Sequence, residues 1–101
     1  MSETTRNDTA QRYELRDDDG KLVGLASFDE RDGRRVFTHT EVDDEREGEG
    51  FGSALARGAL DDTRAQGLQV VPVCPFISGW IDRHDDYADL VDREMLDRVT
   101  S

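Results

Sequence analysis

Apolar and polar residues alternate along the first half of the chain, and this period of two predicts β-strands. Tyr13 and Leu15 lie in the first such run. The pair Asp19-Gly20, which favours a tight hairpin turn, separates it from a second run that ends at Phe28. Another Asp-Gly pair, at 32–33, leads into a third run over 35–42. The pattern predicts an antiparallel meander of three strands.

The apolar period changes to 3.6 after residue 50, which predicts a helix that begins within a glycine loop and ends at Gly67. The short apolar run 68–74 predicts a further strand. Pro72 cannot donate a ladder hydrogen bond, so this strand is expected at an edge, a bulge or a splay. Residues 76–81 keep helical spacing for about two turns, and a helical or irregular tail follows.

These elements predict a single α/β (α+β) domain over residues 11–101 of the 101-residue chain. Residues 1–10 are polar and show no apolar period, so they are predicted to be a disordered acidic/polar tail. No apolar run is long enough to cross a bilayer, and no basic segment followed by an apolar one stands at the start. Cys74 is the only cysteine, which excludes an internal disulfide and agrees with a reducing compartment. We expect a cytoplasmic protein.

Charge is the most unusual bulk property. The chain has 13 basic and 24 acidic residues and a formal net charge of −11. Such a field repels nucleic acid and anionic lipid, so neither is an expected partner. Lys21 is the only lysine among the basic residues. We interpret this surface as salt-adapted, or halophilic; the alternative is an ordinary acidic cytosolic protein.

The loop at 48–52 holds glycines at alternate positions, between a predicted strand and a predicted helix. Main-chain N–H groups and the helix dipole favour an anion at such a place. The Walker A pattern is excluded because no lysine lies between Gly52 and Ser53, and Ser53 also occupies the position of the third glycine of the dinucleotide fingerprint. The alternative is that the glycines only permit a tight turn.

Three sequence segments carry a family resemblance. They are Arg46-Glu47-Gly48-Glu49-Gly50-Phe51-Gly52-Ser53-Ala54-Leu55, His39-Thr40-Glu41-Val42 and Val71-Pro72-Val73-Cys74-Pro75-Phe76. Together they resemble the GCN5-related N-acetyltransferases, and more specifically a very small single-domain subfamily with a Cys-Pro-Phe motif. The resemblance implies a mixed, mostly antiparallel sheet flanked by helices, with acetyl-coenzyme A in a splay between the strands 39–42 and 68–74. Glu47 departs from the family pattern, which has Arg or Gln there.

The resemblance also implies site residues. Those expected to bind the cofactor are Val42, Gly48, Glu49, Gly50, Phe51, Gly52 and Ser53. Cys74 is a candidate acyl acceptor, because a thiolate attacks thioesters well; a small buried core residue is the alternative. His39 and Glu41 lie on one face of their strand, and either could deprotonate an amine or the thiol. Alternatively, His39 is an ordinary strand histidine and Glu41 a solvated side chain.

The function expected from the resemblance is acetyl transfer to an unknown small-molecule or protein amine by a monomer or weak homodimer. The alternatives are a non-catalytic module that binds acyl-coenzyme A or a partner, and a purely structural domain. No metal site is expected. The segment 17–20 is better explained as a hairpin turn than as a calcium loop, and 82–86 as a solvated acidic loop.

The halophilic interpretation has a direct test. Salt screens the repulsion among the excess carboxylates of the folded state, so we expect the melting temperature to rise between low-salt buffer and molar KCl. Circular dichroism melts across a KCl series measure it. A melting temperature that does not rise would show that the surface is acidic but not salt-adapted.

Overall fold

The computed structural model describes residues 3–43 and 50–100. Five strands and three α-helices form, with a 3-10 helix at Asp85–Leu90. The strands are β1 Glu3–Asn7, β2 Arg12–Arg16, β3 Leu22–Arg31, β4 Arg34–Val42 and β5 Gln69–Pro72. The helices are α1 Phe51–Ala65, α2 Pro75–Asp82 and α3 Arg93–Thr100.

The strands form one sheet in the order β1-β2-β3-β4-β5. β1 to β4 are antiparallel neighbours, and β5 runs parallel to β4 after the crossover through α1. Asp32 and Gly33 both have positive φ, 51° and 80°, as a two-residue hairpin turn between right-twisted strands requires. The predicted three-stranded meander and the mixed, mostly antiparallel sheet flanked by helices are confirmed.

Helix α1 covers the sheet with its apolar face. Leu55, Ala56, Ala59 and Leu60 are fully buried on it. Beneath the helix, three aromatic rings from successive strands contact one another with centroids 5.3 to 6.4 Å apart: Tyr13, Phe28 and Phe37. The helix ends at Ala65, and Gly67, the predicted stop, follows two residues later with a φ of 73°. In the part of the chain that the structure describes, the core therefore lies between α1 and the sheet, and residues of α2 and the 3-10 helix complete it.

The N-terminal segment corrects a prediction. Residues 1–10 were expected to be a disordered tail, but Glu3–Asn7 pairs in register with β2 and forms the edge of the sheet. This strand is held in the sheet by main-chain hydrogen bonds and polar contacts. Its side chains are polar, so its sequence shows no apolar period. Thr4 lies so close to α1 that a Cβ on Gly58 would be 2.7 Å from the Thr4 Cβ. Because Gly58 has no side chain, β1 can pack closely against α1.

Strand β5 separates from β4 early. Their pairing ends at Phe37 opposite Pro72, whereas β4 continues to Val42. Beyond Pro72 the Val73 N–H bonds to the Val71 carbonyl, so the chain turns on itself instead of extending the ladder. Pro72 thus lies in the edge strand at the start of a splay, as its missing N–H predicted.

The C-terminal third packs beside this splay. Trp80 and Ile77 of α2 are buried in the core, as the helical spacing predicted. Val91 makes a parallel bridge to Val70, and Arg34 of β4 forms a 2.5 Å ion pair with Asp92. Within residues 3–43 and 50–100, no helix is long and apolar enough to cross a membrane.

A polar cluster joins β1, β2, β4 and α1 around Asp62. Its carboxylate accepts hydrogen bonds from the Tyr13 hydroxyl at 2.6 Å and from Arg6 at 2.5 Å, and the buried Arg35 guanidinium lies 3.6 Å away. Burial opposes the charge of Asp62, but these hydrogen bonds and cations outweigh it and lower the pKa of the carboxyl. Burial, reinforced by the bond to Asp62, raises the pKa of Tyr13 to about 12, so this hydroxyl remains a donor.

The Asp62 cluster predicts a pH-dependent stability. Because the folded-state pKa is lowered, the contribution of Asp62 is present above its ordinary pKa and is lost as the pH falls through the folded value. We expect Asp62→Asn to lower the free energy of unfolding by about 1–2 kcal/mol near neutral pH, and by less in acid. Urea unfolding across an acid pH series measures both.

A matched control uses the same arginine. Asp8 pairs with Arg6 at 2.7 Å, but its side chain is 70% exposed. Exposed pairs contribute little, so Asp8→Asn should change the free energy of unfolding by less than about 0.5 kcal/mol. Equal losses in the two variants would contradict a special role for Asp62.

Candidate functional site

A β-bulge in β4 decides which side chains face the splay. Ser27 pairs with His39 and Phe28 with Phe37, so Thr38 is the extra residue. Past the bulge, Thr40 pairs with the buried Ala26 and shares its face of the sheet. The bulge therefore turns Thr40 towards the side covered by α1, and the residues that flank Thr40 in sequence towards the opposite side.

Cys74 lies at the base of the splay. It follows β5, forms the N-cap of α2 and precedes Pro75, which suits the first position of a helix. The Cys74 main-chain N–H bonds to the Phe37 carbonyl of β4 at 2.9 Å. Its side chain is buried, and its thiol donates a hydrogen bond of 3.2 Å to the Thr40 hydroxyl. The thiol thus joins the separated ends of β4 and β5.

His39 and Glu41 lie together on the opposite face of β4. Their side chains are 62% and 66% exposed, and the His39 Nε2 lies 3.7 Å from the Glu41 carboxylate. The prediction that they share a face is confirmed. Their cross-strand partners are Ser27 and Leu25, whereas Thr40, which bonds to Cys74, faces the other side. The strand therefore brings the two candidate bases to each other but not to the Cys74 thiol.

Helix α1 begins at the glycine loop. Gly50 is its N-cap, in the left-handed conformation with φ 77°, where residues with a Cβ are strained. The first turn holds no acidic residue, and within the described residues no side chain caps this end. The first N–H groups of a helix have no intrahelical acceptor, so this end suits an anion. Gly48 and Glu49 lie outside the described residues.

The remaining predicted cofactor residues touch the core or α2. Val42 and Phe51 pack against the core cluster. The Ser53 hydroxyl accepts a 3.0 Å hydrogen bond from the Trp80 indole. A Cβ on Gly52 would lie 2.8 Å from the Phe76 Cζ. Gly52 is therefore small because Phe76 lies over it, a reason that the glycine spacing alone did not reveal.

A shallow surface cavity of about 240 Å³ lies at the end of the sheet where β3 begins and β4 ends. Leu22, Val23 and Leu25 of β3 line it, together with Glu41 of β4 and Asp43, which follows β4. Its lining therefore combines apolar side chains with two carboxylates, of which Asp43 pairs with Lys21 at 3.8 Å.

The two segments considered for metals have other roles. The Asp17 carboxylate accepts the main-chain N–H groups of Asp19 and Lys21, which stabilises the β2–β3 turn. The His84 ring stacks on Trp80 at 3.8 Å and bonds to its carbonyl. Across residues 3–43 and 50–100, no group of three His, Cys, Asp or Glu side chains is placed to hold a metal ion.

The site contains two contacts that sequence reasoning missed. Thr40 lay within the segment 39–42, but threonine is a weak acid and base, so only its neighbours were considered. The bond between Trp80 and Ser53 was also missed, because residues 27 positions apart carry no local signal of contact.

A strand splay, a glycine-capped helix and a buried cysteine at the base of the splay suit the binding of a thioester. The family model described as GCN5-related N-acetyl-transferase matches residues 12–90, which is most of the chain. The chain belongs to the GCN5-related N-acetyltransferases. No curated protein matches it.

Solved structures agree on the fold. A GCN5-like protein from Staphylococcus aureus is 22% identical, with 88% of this chain and 86% of that chain covered and a TM-score of 0.68. A protein assigned as a phosphinothricin N-acetyltransferase is 18% identical, with 78% of this chain and 54% of that chain covered and a TM-score of 0.58. At these identities the likeness shows that this member shares the acetyltransferase fold.

The contact between Gly52 and Phe76 makes a prediction. In a helix, Gly→Ala ordinarily stabilises by about 0.5–1 kcal/mol. We expect Gly52→Ala to lose that gain or to destabilise, because the new methyl group displaces the Phe76 ring. In a Phe76→Ala background, the same substitution should recover the gain. Chemical denaturation of the four proteins gives the coupling energy.

Gly79 of α2 provides the control, since a Cβ there meets only Arg83 at an ordinary 3.5 Å. Gly79→Ala should therefore stabilise the protein regardless of Phe76. If Gly52→Ala behaves like Gly79→Ala in the parent chain, the ring does not constrain residue 52.

Proposed function

We propose that this chain binds acetyl-coenzyme A and transfers the acetyl group to an amine. The observation that supports this most strongly is the juxtaposition at the base of the splay. The contacts of Gly52 with Phe76 and of Ser53 with Trp80 fix the start of α1 beside α2. Cys74 begins α2, so an anion site and a thiol lie at one end of the sheet.

The described residues fit the cofactor. Its diphosphate would be held by the main-chain N–H groups at the start of α1, where the helix dipole favours negative charge. Val42 and the unpaired end of β4 would align the pantetheine arm, because a strand without a neighbour leaves its main chain open to one. The cofactor supplies an acetyl group activated as a thioester. The further predicted contacts, Gly48 and Glu49, belong to this proposal as well.

Cys74 is the proposed acyl acceptor, and His39 with Glu41 the proposed bases. The thiol is nearly enclosed, with the residue 5% exposed, so water has little access to an acyl group formed there. His39 and Glu41 are exposed to solvent, and Glu41 also lines the cavity. They lie across β4 from the thiol, so in this proposal they would act on an amine, which would then have to reach the Cys74 side of the strand.

The acceptor is a small-molecule or protein amine. Glu41 and Asp43, which pairs with Lys21 at 3.8 Å, line a cavity at this end of the sheet, and their carboxylates would attract an ammonium group towards it. The net charge of −11 attracts cations and repels nucleic acid, in agreement with such an acceptor. We place the protein in the cytoplasm, where acetyl-coenzyme A and reduced thiols are both available.

A non-catalytic module that binds acyl-coenzyme A or a protein partner is the second candidate function. One observation favours it: Cys74 contacts neither His39 nor Glu41, so no described acid or base bonds to the thiol. Such a module would retain the cofactor site and its affinity but would not turn over.

Calorimetry at working salt, followed by intact-mass analysis, tests the proposal. We expect heat on adding acetyl-coenzyme A, an added acetyl group on the wild-type chain and none on Cys74→Ala. Acetylation of members of an amine panel would establish the transferase. Cys74→Ala retains the cofactor contacts, so it should bind acetyl-coenzyme A within about threefold of wild type.

The outcomes separate the candidates. Binding without acetylation of Cys74 or of any amine would favour the non-catalytic module. Turnover that is unchanged in Cys74→Ala would remove the covalent route and leave direct attack by the amine. If no heat is detected, the chain does not bind the cofactor and the proposal is wrong.

A further inference from the structure

We infer that Thr40 positions the Cys74 thiol and so prepares it to accept an acyl group. This inference rests on the proposed function. Its basis is the 3.2 Å contact in which the Cys74 thiol donates to the Thr40 hydroxyl. Thr40 is a positioning residue here, because it acts through the sulfur and not on the acyl group itself.

The main chain holds both ends of this hydrogen bond. Thr40 sits in the ladder of β4 opposite Ala26, directly after the bulge at Thr38. Cys74 is fixed by its N–H bond to the Phe37 carbonyl and by its carbonyl bond to the Ser78 N–H of α2. The backbones that carry the hydroxyl and the thiol are therefore both fixed. The bulge turns the Thr40 side chain to the face of the sheet on which Cys74 lies.

The chemistry of a hydroxyl suits both protonation states of the sulfur. A threonine hydroxyl has one donor and two acceptor positions and rotates to satisfy its neighbour. With a thiol it accepts, as in this structure, and with a thiolate it can turn and donate. A hydrogen bond to a charged group is stronger than one to a neutral group, so a bond donated by the hydroxyl would strengthen as negative charge develops on the attacking sulfur.

The transfer step balances without a further reactant. A bond forms between the Cys74 sulfur and the acetyl carbon as the bond from that carbon to the coenzyme A sulfur breaks. The thiol proton of Cys74 leaves with the coenzyme A thiolate, which departs as a thiol. Thr40 gains and loses no proton overall, because its hydroxyl only reverses its direction.

Alkylation of Cys74 tests this inference without the cofactor. Cys74 is the only cysteine, so the rate of its reaction with iodoacetamide at fixed pH reports on that sulfur alone. Thr40→Val keeps the shape and branching of the side chain and removes the hydroxyl, whereas Thr40→Ser keeps the hydroxyl and removes the methyl group. We expect alkylation to slow about fivefold or more in Thr40→Val and to remain within about twofold of wild type in Thr40→Ser.

Thr5→Val is the matched control. Thr5 is an exposed threonine of β1, which lies at the opposite edge of the sheet from β5, so this variant makes the same chemical change far from Cys74. It should leave the alkylation rate unchanged. Melting temperatures of all variants report on folding, and if Thr40→Val does not fold, Thr40→Ala compared with Thr40→Ser again isolates the hydroxyl.

The alkylation rates of these variants support or overturn the inference about Thr40. An unchanged rate in Thr40→Val, or equal losses in the valine and serine variants, would overturn the inference, since packing and not the hydroxyl would then matter. The same variants treated with acetyl-coenzyme A should show the same order of acetylation by intact mass. If wild type takes up no acetyl group, the covalent route through Cys74 fails, whereas the alkylation rates still decide what Thr40 does.

Discussion

The pairing of β4 with β5 stops at Phe37 and Pro72, and the arrangement of the site depends on that one interruption. Had the ladder continued, the main chain at the end of β4 would have been hydrogen-bonded to the residues that follow Pro72. Instead β4 extends to Val42, beyond its last partner in β5, and the chain after β5 turns through Val73 into α2. The break itself lies at Val73, whose N–H bonds to the Val71 carbonyl, so that the Cys74 N–H takes the Phe37 carbonyl instead. Pro72 suits an edge strand because N–H groups alternate sides and its missing one lies on the side away from β4.

The interruption would be of little use if the surrounding elements were loosely placed. α1 and α2 begin beside each other, held by the indole bond from Trp80 to Ser53 and by the Phe76 ring over Gly52. On the other side of the core, Asp62 ties α1 to Tyr13 and Arg6. The helix that supplies the glycine-capped end is thus fixed to β1 and β2 at one point and to α2 at another.

Much of the fold could be predicted from local pattern. The meander, α1 and α2 follow from the periods of two and 3.6, and Gly33 and Gly67 mark turns that require positive φ. β1 could not be predicted, because a polar edge strand held by backbone pairing leaves no apolar period. The site was predicted only in part. Sequence reasoning proposed Cys74, His39 and Glu41 as site residues but did not predict the bulge at Thr38, a tertiary feature that places Thr40, and not His39, beside the thiol.

A crystal structure of the chain with acetyl-coenzyme A would test the central claim, that the gap between β4 and β5 is the binding site for a thioester. The account predicts the diphosphate against the main-chain N–H groups at the start of α1. It also predicts the thioester carbon about 3.5 Å from the Cys74 sulfur, a distance at which attack can begin. A cofactor bound elsewhere on the surface, or one whose thioester points away from the gap, would contradict it.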